Sequence, residues 1–220
     1  MMNKNYGRFD VLRCRALATQ CLLLLCLTSC TLSLGGTAGL EKYYTLYQTE
    51  PLAKSEKHID KSILVRDMQA DGFLRSRKIL YSSTPGVISF YRLASWTDTP
   101  PRMMTSILKS MLNQRGYFKY AVGQNSGARA DYQLSTTLLE MRQDTSTVPG
   151  KVVVKVRAEL VDMQTREVIY TEIMEREEDI LDHDIQSAAI SLNRAVVETL
   201  ESVSIEAETL RTRTNGDSRK

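Results

Sequence analysis

The sequence predicts a single α/β domain: a mixed, largely antiparallel sheet with two main helices packed on it. Three observations carry this. Short runs between residues 43 and 180 alternate apolar and polar side chains with period two, and turn residues separate them. Two other stretches, near 100–116 and 182–210, repeat apolar residues every three or four positions, which is helical spacing. No internal repeat and no shift in composition marks a second domain after residue 43.

The elements follow in order. YYTLYQ from Tyr43 and SILVRDM at 62–68 read as short strands. RKILYSSTPGVISFYRL reads as a hairpin. Ile79 and Tyr81 share one side, Pro85-Gly86 makes the turn, and Val87, Ser89 and Tyr91 return. In SWTDTPPRMMTSILKSMLNQRG, Thr99 can cap a helix, Pro100 and Pro101 suit its first turn, and Gly116 closes it. Met104, Ile107, Leu108, Met111 and Leu112 give that helix one apolar face. YFKYAV is a short strand and GQNSGARA a loop. DYQLSTTLLEMRQD sets Tyr132, Leu134, Thr136 and Leu138 on one side, and VPG at 148–150 turns the chain. KVVVKVRAELVD puts Val152, Val154, Val156, Ala158 and Leu160 on one face and Lys155, Arg157 and Glu159 on the other. After a turn from Asp162 to Arg166, EVIYTEIME returns, completing an antiparallel meander with one wet face. The last helix is expected from about Asp182 to Leu210, with Ile185, Ala189, Leu192, Val196, Leu200 and Val203 as the stripe that meets the sheet.

The N-terminus has a different character. Lys4, Arg8, Arg13 and Arg15 precede an apolar run, Ala16 to Leu27, that Gln20 interrupts. As a helix, about twelve residues cover roughly 18 Å against a hydrocarbon core of about 30 Å, too short to span. A basic leader before a short apolar run is the layout of an export signal. The run ends in Leu27-Thr28-Ser29-Cys30: an aliphatic residue, two small ones, then cysteine. This resembles the lipobox of bacterial lipoproteins. A thiolate is the nucleophile that accepts a diacylglyceryl group as a thioether. Cleavage would leave Cys30 as an acylated first residue, carrying covalent diacylglyceryl and N-acyl lipid and needing no other cofactor. At about 0.8 kcal/mol per buried CH₂, two or three chains form a stable anchor. Thr31 in place of Asp after the cysteine favours an outer-membrane location facing the periplasm.

The expected organisation is therefore signal peptide 1–29, flexible tether 30–42, periplasmic domain 43–208 and disordered polar tail 209–220. Fully extended, the dozen tether residues reach roughly 40 Å.

Charge and cysteines exclude several functions. Of 29 basic and 26 acidic residues, the signal holds four and one, leaving 25 of each in the mature chain. A chain balanced in this way has no compositional argument for nucleic acid as a partner. Cys14, Cys21 and Cys26 leave with the signal and lipid consumes Cys30, so no disulfide within one mature chain and no zinc–thiolate site is expected. His183, in DHD at 182–184, has carboxylate neighbours, but adjacent helical positions point in different directions, and an Asp capping the helix is the simpler reading. His58 reads as a solvated loop residue. EREEDILDHD at 175–184 lacks the glycine and ligand spacing of a calcium loop and reads as a solvated charge run. No phosphate loop and no GxSxG elbow occurs, so no catalytic residue and no metal ligand is assigned. Trp96, the sole tryptophan, reads as a core anchor beside the helix that Pro100-Pro101 begins.

Taken together, the lipobox, YYTL, RKILYSSTPGVISFYRLASWTDTPPRMM, a helix ending in RGYF, DYQLSTTLLEM, AELVD and a long last helix resemble the ABC-type transport auxiliary lipoprotein family, which includes the PqiC-like lipoproteins. The resemblance covers about residues 41–205. Its most specific part is Ile79-Leu80-Tyr81 with Tyr91, Trp96, Pro100 and Pro101, expected to be structural. Family members usually carry Arg or a similar residue before the Trp; here it is Ser95. The resemblance implies a non-enzymatic, outer-membrane-anchored periplasmic component of an envelope system that moves lipids between membranes. Its implied partners are an MCE-domain protein, an ABC permease, or both, with a homo-oligomer left open. The alternative is a TolB- or CsgG-like structural or regulatory lipoprotein acting in secretion or cell-wall synthesis. A lipid-anchored hydrolase is a third reading, which would need a pocket holding two convergent carboxylates.

The anchor has a direct test. Cys30→Ser is expected to yield unlipidated precursor. Uptake of labelled palmitate by that variant at wild-type level would remove the lipobox reading.

Overall fold

The computed structural model describes residues 39–217 except 181 and 183, with side chains described as far as Glu208. From Glu41 onward the chain forms one compact unit. Its described residues form nine strands: β1 (Lys42–Tyr44), β2 (Ile59–Val65), β3 (Gln69–Ala70), β4 (Lys78–Thr84), β5 (Val87–Trp96), β6 (Phe118–Gly123), β7 (Tyr132–Asp144), β8 (Gly150–Asp162) and β9 (Val168–Ile180). Two helices, α1 (Pro100–Arg115) and α2 (Ile185–Asp217), complete it.

The 13-residue β7 is the hub. Along one edge it pairs antiparallel with β8 from Tyr132↔Asp162 to Asp144↔Lys151. Along the other it takes three strands end to end, all parallel: β2 at Tyr132–Leu134, β3 at Thr137–Leu138 and β4 at Gln143–Asp144. β9 then extends β8, β5 extends β4 as the expected hairpin, and the short parallel strands β6 and β1 close on β2 and β5. The sheet is mixed as expected. Its long ladders are antiparallel and its short ones parallel.

Alternation places the core. Tyr132, Leu134, Thr136 and Leu138 of β7 are buried on one face, opposite Val156, Ala158 and Leu160 of β8. A bulge between Leu138 and Glu140 then shifts the phase by one residue, because Leu138 faces Val156 while Glu140 faces Lys155. Met141 and Gln143 thereby join the buried face, while Glu140, Arg142 and Asp144 emerge on the other. Without the extra residue, strict period two would drive Arg142 and Asp144 into the core.

Both helices cover the same face. α1 buries Met104, Ile107, Leu108, Met111 and Leu112, the five residues the spacing selects. Gly116 ends it at φ 65°, a left-handed position that favours glycine, and its amide donates to the Leu112 carbonyl. Thr99 does not cap through its side chain. Asp98 Oδ1 accepts the Thr99 amide (2.7 Å), and the Thr99 carbonyl takes the Arg102 and Met103 amides. With Pro100 and Pro101 lacking N–H groups, fewer donors need a side-chain acceptor. α2 packs on β8, β9 and α1. Its stripe is wider than expected: Ala188, Ala195 and Ala207 are buried beside Ala189, Leu192, Val196, Leu200 and Val203, and such small residues let the helix lie close to the sheet.

Four expectations change. YYTLYQ is a strand only to Tyr44, because the Tyr47 amide donates to Asn193 Oδ1 of α2 (2.8 Å) instead of a ladder. α2 begins at Ile185, after Asp184, which accepts the Gln186 and Ser187 amides. It continues to Asp217, so the polar tail placed at 209–220 is helical to that point. A helix already docked extends by one hydrogen bond per residue without a new nucleus. Finally, SILVRDM at 62–68 is strand only to Val65 in a β2 that begins at Ile59, and Gln69–Ala70 form the separate strand β3. The charged run stays mostly exposed, as expected, while its residues 175–180 form the second half of β9, paired with β8 as far as Gly150↔Ile180.

Trp96 is 2% exposed, and its backbone amide donates to the Arg77 carbonyl (2.8 Å). Trp96→Ala is expected to cost about 3–5 kcal/mol in a urea melt; a loss under about 1 kcal/mol would contradict core packing.

Candidate functional site

Cys30 lies outside the described residues. The other motif residues converge at one joint. Tyr81 on β4 and Tyr91 on β5 lie on the helix-facing side, with ring centroids 5.0 Å apart. The Tyr91 hydroxyl donates to Oε1 of Gln143, a fully buried residue near the end of β7. Burial pushes the Tyr91 hydroxyl above the usual tyrosine range, with Tyr81 and Asp184 adding to the effect. Between Leu80↔Phe90 and Lys78↔Ser95, one β4 residue faces four on β5. That irregularity turns Ala94 and Trp96 into the core, ahead of buried Pro100 and Pro101. Tyr81, Tyr91, Trp96, Pro100 and Pro101 thus bind the hairpin to β7 and α1. Gln143 was not legible as their partner, since only the bulge at 139 brings it to this face.

Ser95 is buried, and its hydroxyl donates to Glu41 Oε1 (2.7 Å). That bond and one from the Tyr43 hydroxyl hold the Glu41 carboxyl below its ordinary range.

The acid–histidine candidates separate. Asp184 is the helix cap, its carboxyl lowered by the Ser187 hydroxyl and amide; Asp182 is exposed, and His183 lies outside the described residues. His58 is exposed, and its Nδ1–H donates to the Gly116 carbonyl (3.0 Å). Among the described residues no group of three His, Cys, Asp or Glu side chains could hold a metal ion, and no helix is long and apolar enough to cross a membrane. An open, polar trench of about 620 Å³ runs between 48–54 and the end of α1, lined by Gln48, Glu50, Asn113 and Gln114. A neighbouring hollow of about 280 Å³ contains Glu56 and Glu208. The Arg115 guanidinium clamps Glu208 there through two bonds, 2.5 and 2.9 Å, joining α1 to α2.

What remains for a partner is the sheet itself. β9 pairs only with β8 among the described residues, leaving a 13-residue edge. On the helix-free face of the meander, charges alternate. Arg142 bonds Glu140 (2.7 Å) and Asp144 (2.8 Å), Lys151 bonds Glu177 (2.8 Å), and Lys155 bonds Glu175 (3.0 Å). At the hairpin the same face is largely apolar: Phe73, Ile88 and Phe90 are exposed, and a cleft of about 310 Å³ is lined by Phe73, Ile88, Leu74, Leu80 and Leu139 together with Glu140 and Arg142. The signal for this was in the sequence. β4 and β5 are apolar in both phases, so helices on one side must leave the other phase uncovered.

A family model described as "ABC-type transport auxiliary lipoprotein component" matches residues 44–204. The crystal structure of a Xanthomonas campestris protein from the DUF330 family is similar at 14% identity, with a TM-score of 0.73 over 80% of this chain and 99% of that one. A second crystal structure, of an uncharacterized protein, is similar at 12% identity, with a TM-score of 0.61 over 76% of this chain and 99% of that one. At such identities the likeness is one of fold. No curated protein matches the sequence.

The Ser146 hydroxyl and the Arg142 guanidinium hold the Asp144 carboxyl at about 2, below its ordinary 3.8. A folded-state value below the unfolded one stabilises above about pH 4, and the gain disappears as pH falls toward 2. Asp144→Asn should therefore cost about 2 kcal/mol at pH 7, with the difference from wild type shrinking between pH 5 and 2 in urea melts. A pH-independent difference would contradict this assignment.

Proposed function

The chain belongs to the ABC-type transport auxiliary lipoprotein family, and on that premise we propose that it works as an outer-membrane-anchored, periplasm-facing component of an ABC/MCE-type system that moves lipid between membranes. The observation that carries this reading is the family match across nearly the whole domain, 44–204. Cys30 would hold the chain to the membrane through its acyl groups, and the domain would act by docking an MCE-domain protein or the ABC permease. Nothing in that role asks the chain for a catalytic group. Its surface supports such a role: among the described residues the β9 edge has no second strand, and its ladder groups could accept one, a recurring way a sheet recruits a partner. Carboxylates along that edge, Glu172 and Asp179 among them, discourage indiscriminate pairing and favour a strand bearing cations.

The test is a crosslinked pull-down of the tagged lipoprotein from intact envelopes, followed by mass spectrometry. Recovery of an MCE protein or its ABC permease is the expected outcome. Recovery of secretion or wall-synthesis proteins in their place would transfer the chain to the TolB- or CsgG-like reading.

A further inference from the structure

The β9 edge and the hairpin lie on opposite sides of β7, so a partner at one leaves the other unoccupied. On the helix-free face where β1, β4 and β5 meet, Tyr43, Phe73, Ile88 and Phe90 are between 41% and 56% exposed. Two cations stand over the rings. The Arg77 guanidinium is 5.4 Å from the Tyr43 centroid, and the Lys78 ammonium is 5.0 Å from that of Phe90. The Phe73 and Phe90 rings are 6.4 Å apart beside the largely apolar cleft. Segment 71–78 carries Arg75, Arg77 and Lys78 against one acid, Asp71; Glu41, just before β1, also lies near Arg77 and Lys78, and Arg77 Nε donates to the Trp96 carbonyl (2.8 Å). The apolar area stops where the paired charges of Arg142, Lys151 and Lys155 begin.

We infer that this face rests against an anionic phospholipid surface, the membrane that holds the Cys30 lipid. The inference depends on the anchored reading above. Chain length restricts where the face can go. Glu41 follows Cys30 by eleven residues, so at about 3.5 Å each, β1 stays within roughly 40 Å of the acylated residue. β1 is the first strand and forms part of this face, through the register Tyr43↔Ser95↔Lys78. The chemistry also suits lipid. Aromatic rings settle at headgroup depth, and Arg and Lys stems lie along apolar surface while their charges reach phosphate.

The experiment uses the full lipidated chain in vesicles of phosphatidylethanolamine with and without phosphatidylglycerol. Since lipid consumes Cys30, a cysteine introduced at one site is the sole point of labelling. A nitrobenzoxadiazole probe on Ile88→Cys should shift to the blue and be quenched by nitroxide lipids when phosphatidylglycerol is present. The same probe on Ile190→Cys, exposed on α2, should do neither. Adding Arg77→Glu and Lys78→Glu should remove most of the quenching, since each basic group near an anionic surface is worth about fivefold in affinity. A chain that floats with the vesicles while its residue-88 probe stays as wet as the residue-190 probe overturns the docked face and leaves the anchor standing. A chain that does not float overturns the anchor, and the inference with it. A blue shift that follows protein density rather than phosphatidylglycerol assigns the face to a second copy, which also overturns the inference.

Discussion

The phase shift at Leu139 of β7 is the constraint on which the rest of the domain depends. A 13-residue strand spans about 43 Å, and a single phase of alternation would present one set of side chains to the helices throughout. One extra residue exchanges the faces partway along. The first half offers Tyr132, Leu134 and Leu138 to α1 and α2, and the second half offers Met141 and Gln143. Each of the three strands on the other edge meets a different stretch of β7. Asp131, just before β7, fastens β2 by accepting the Ser62 amide and hydroxyl and Lys61 Nζ (2.8 Å). Gln143, past the bulge, fastens the hairpin through Tyr91.

This arrangement divides the molecule into an inner and an outer chemistry. Aromatic and proline residues of the family motif are spent inside, where they set the angle at which the hairpin leaves β7 and enters α1. Outside, the same sheet carries a lattice of paired charges on the meander and bare aromatic and aliphatic side chains on the hairpin. The Arg115–Glu208 pair, 13% and 7% exposed, ties the end of α1 to α2.

Much of the fold could be read from the chain because its elements are strongly amphipathic. The five apolar residues of α1, the five of β8 and the Pro85-Gly86 hairpin lie where periodicity put them. Losses occurred where an element's partner is remote. Residues 175–180 carry mostly charge, and it is the backbone ladder with β8, from Lys155↔Glu175 to Gly150↔Ile180, that makes them strand. Tyr47 leaves the ladder for Asn193, 146 positions away.

The sequence by itself determined the two helices, most of the strands, the core role of Trp96 and the family, since each follows from local spacing or from residues in a fixed order. Only the tertiary structure decided the parallel pairings on one edge of β7, the place of Gln143 beneath the hairpin and which apolar phase of β4 and β5 stays outside. Those outcomes depend on register, and register is settled by which faces the helices cover. That choice belongs to the assembled sheet and is written in no single segment.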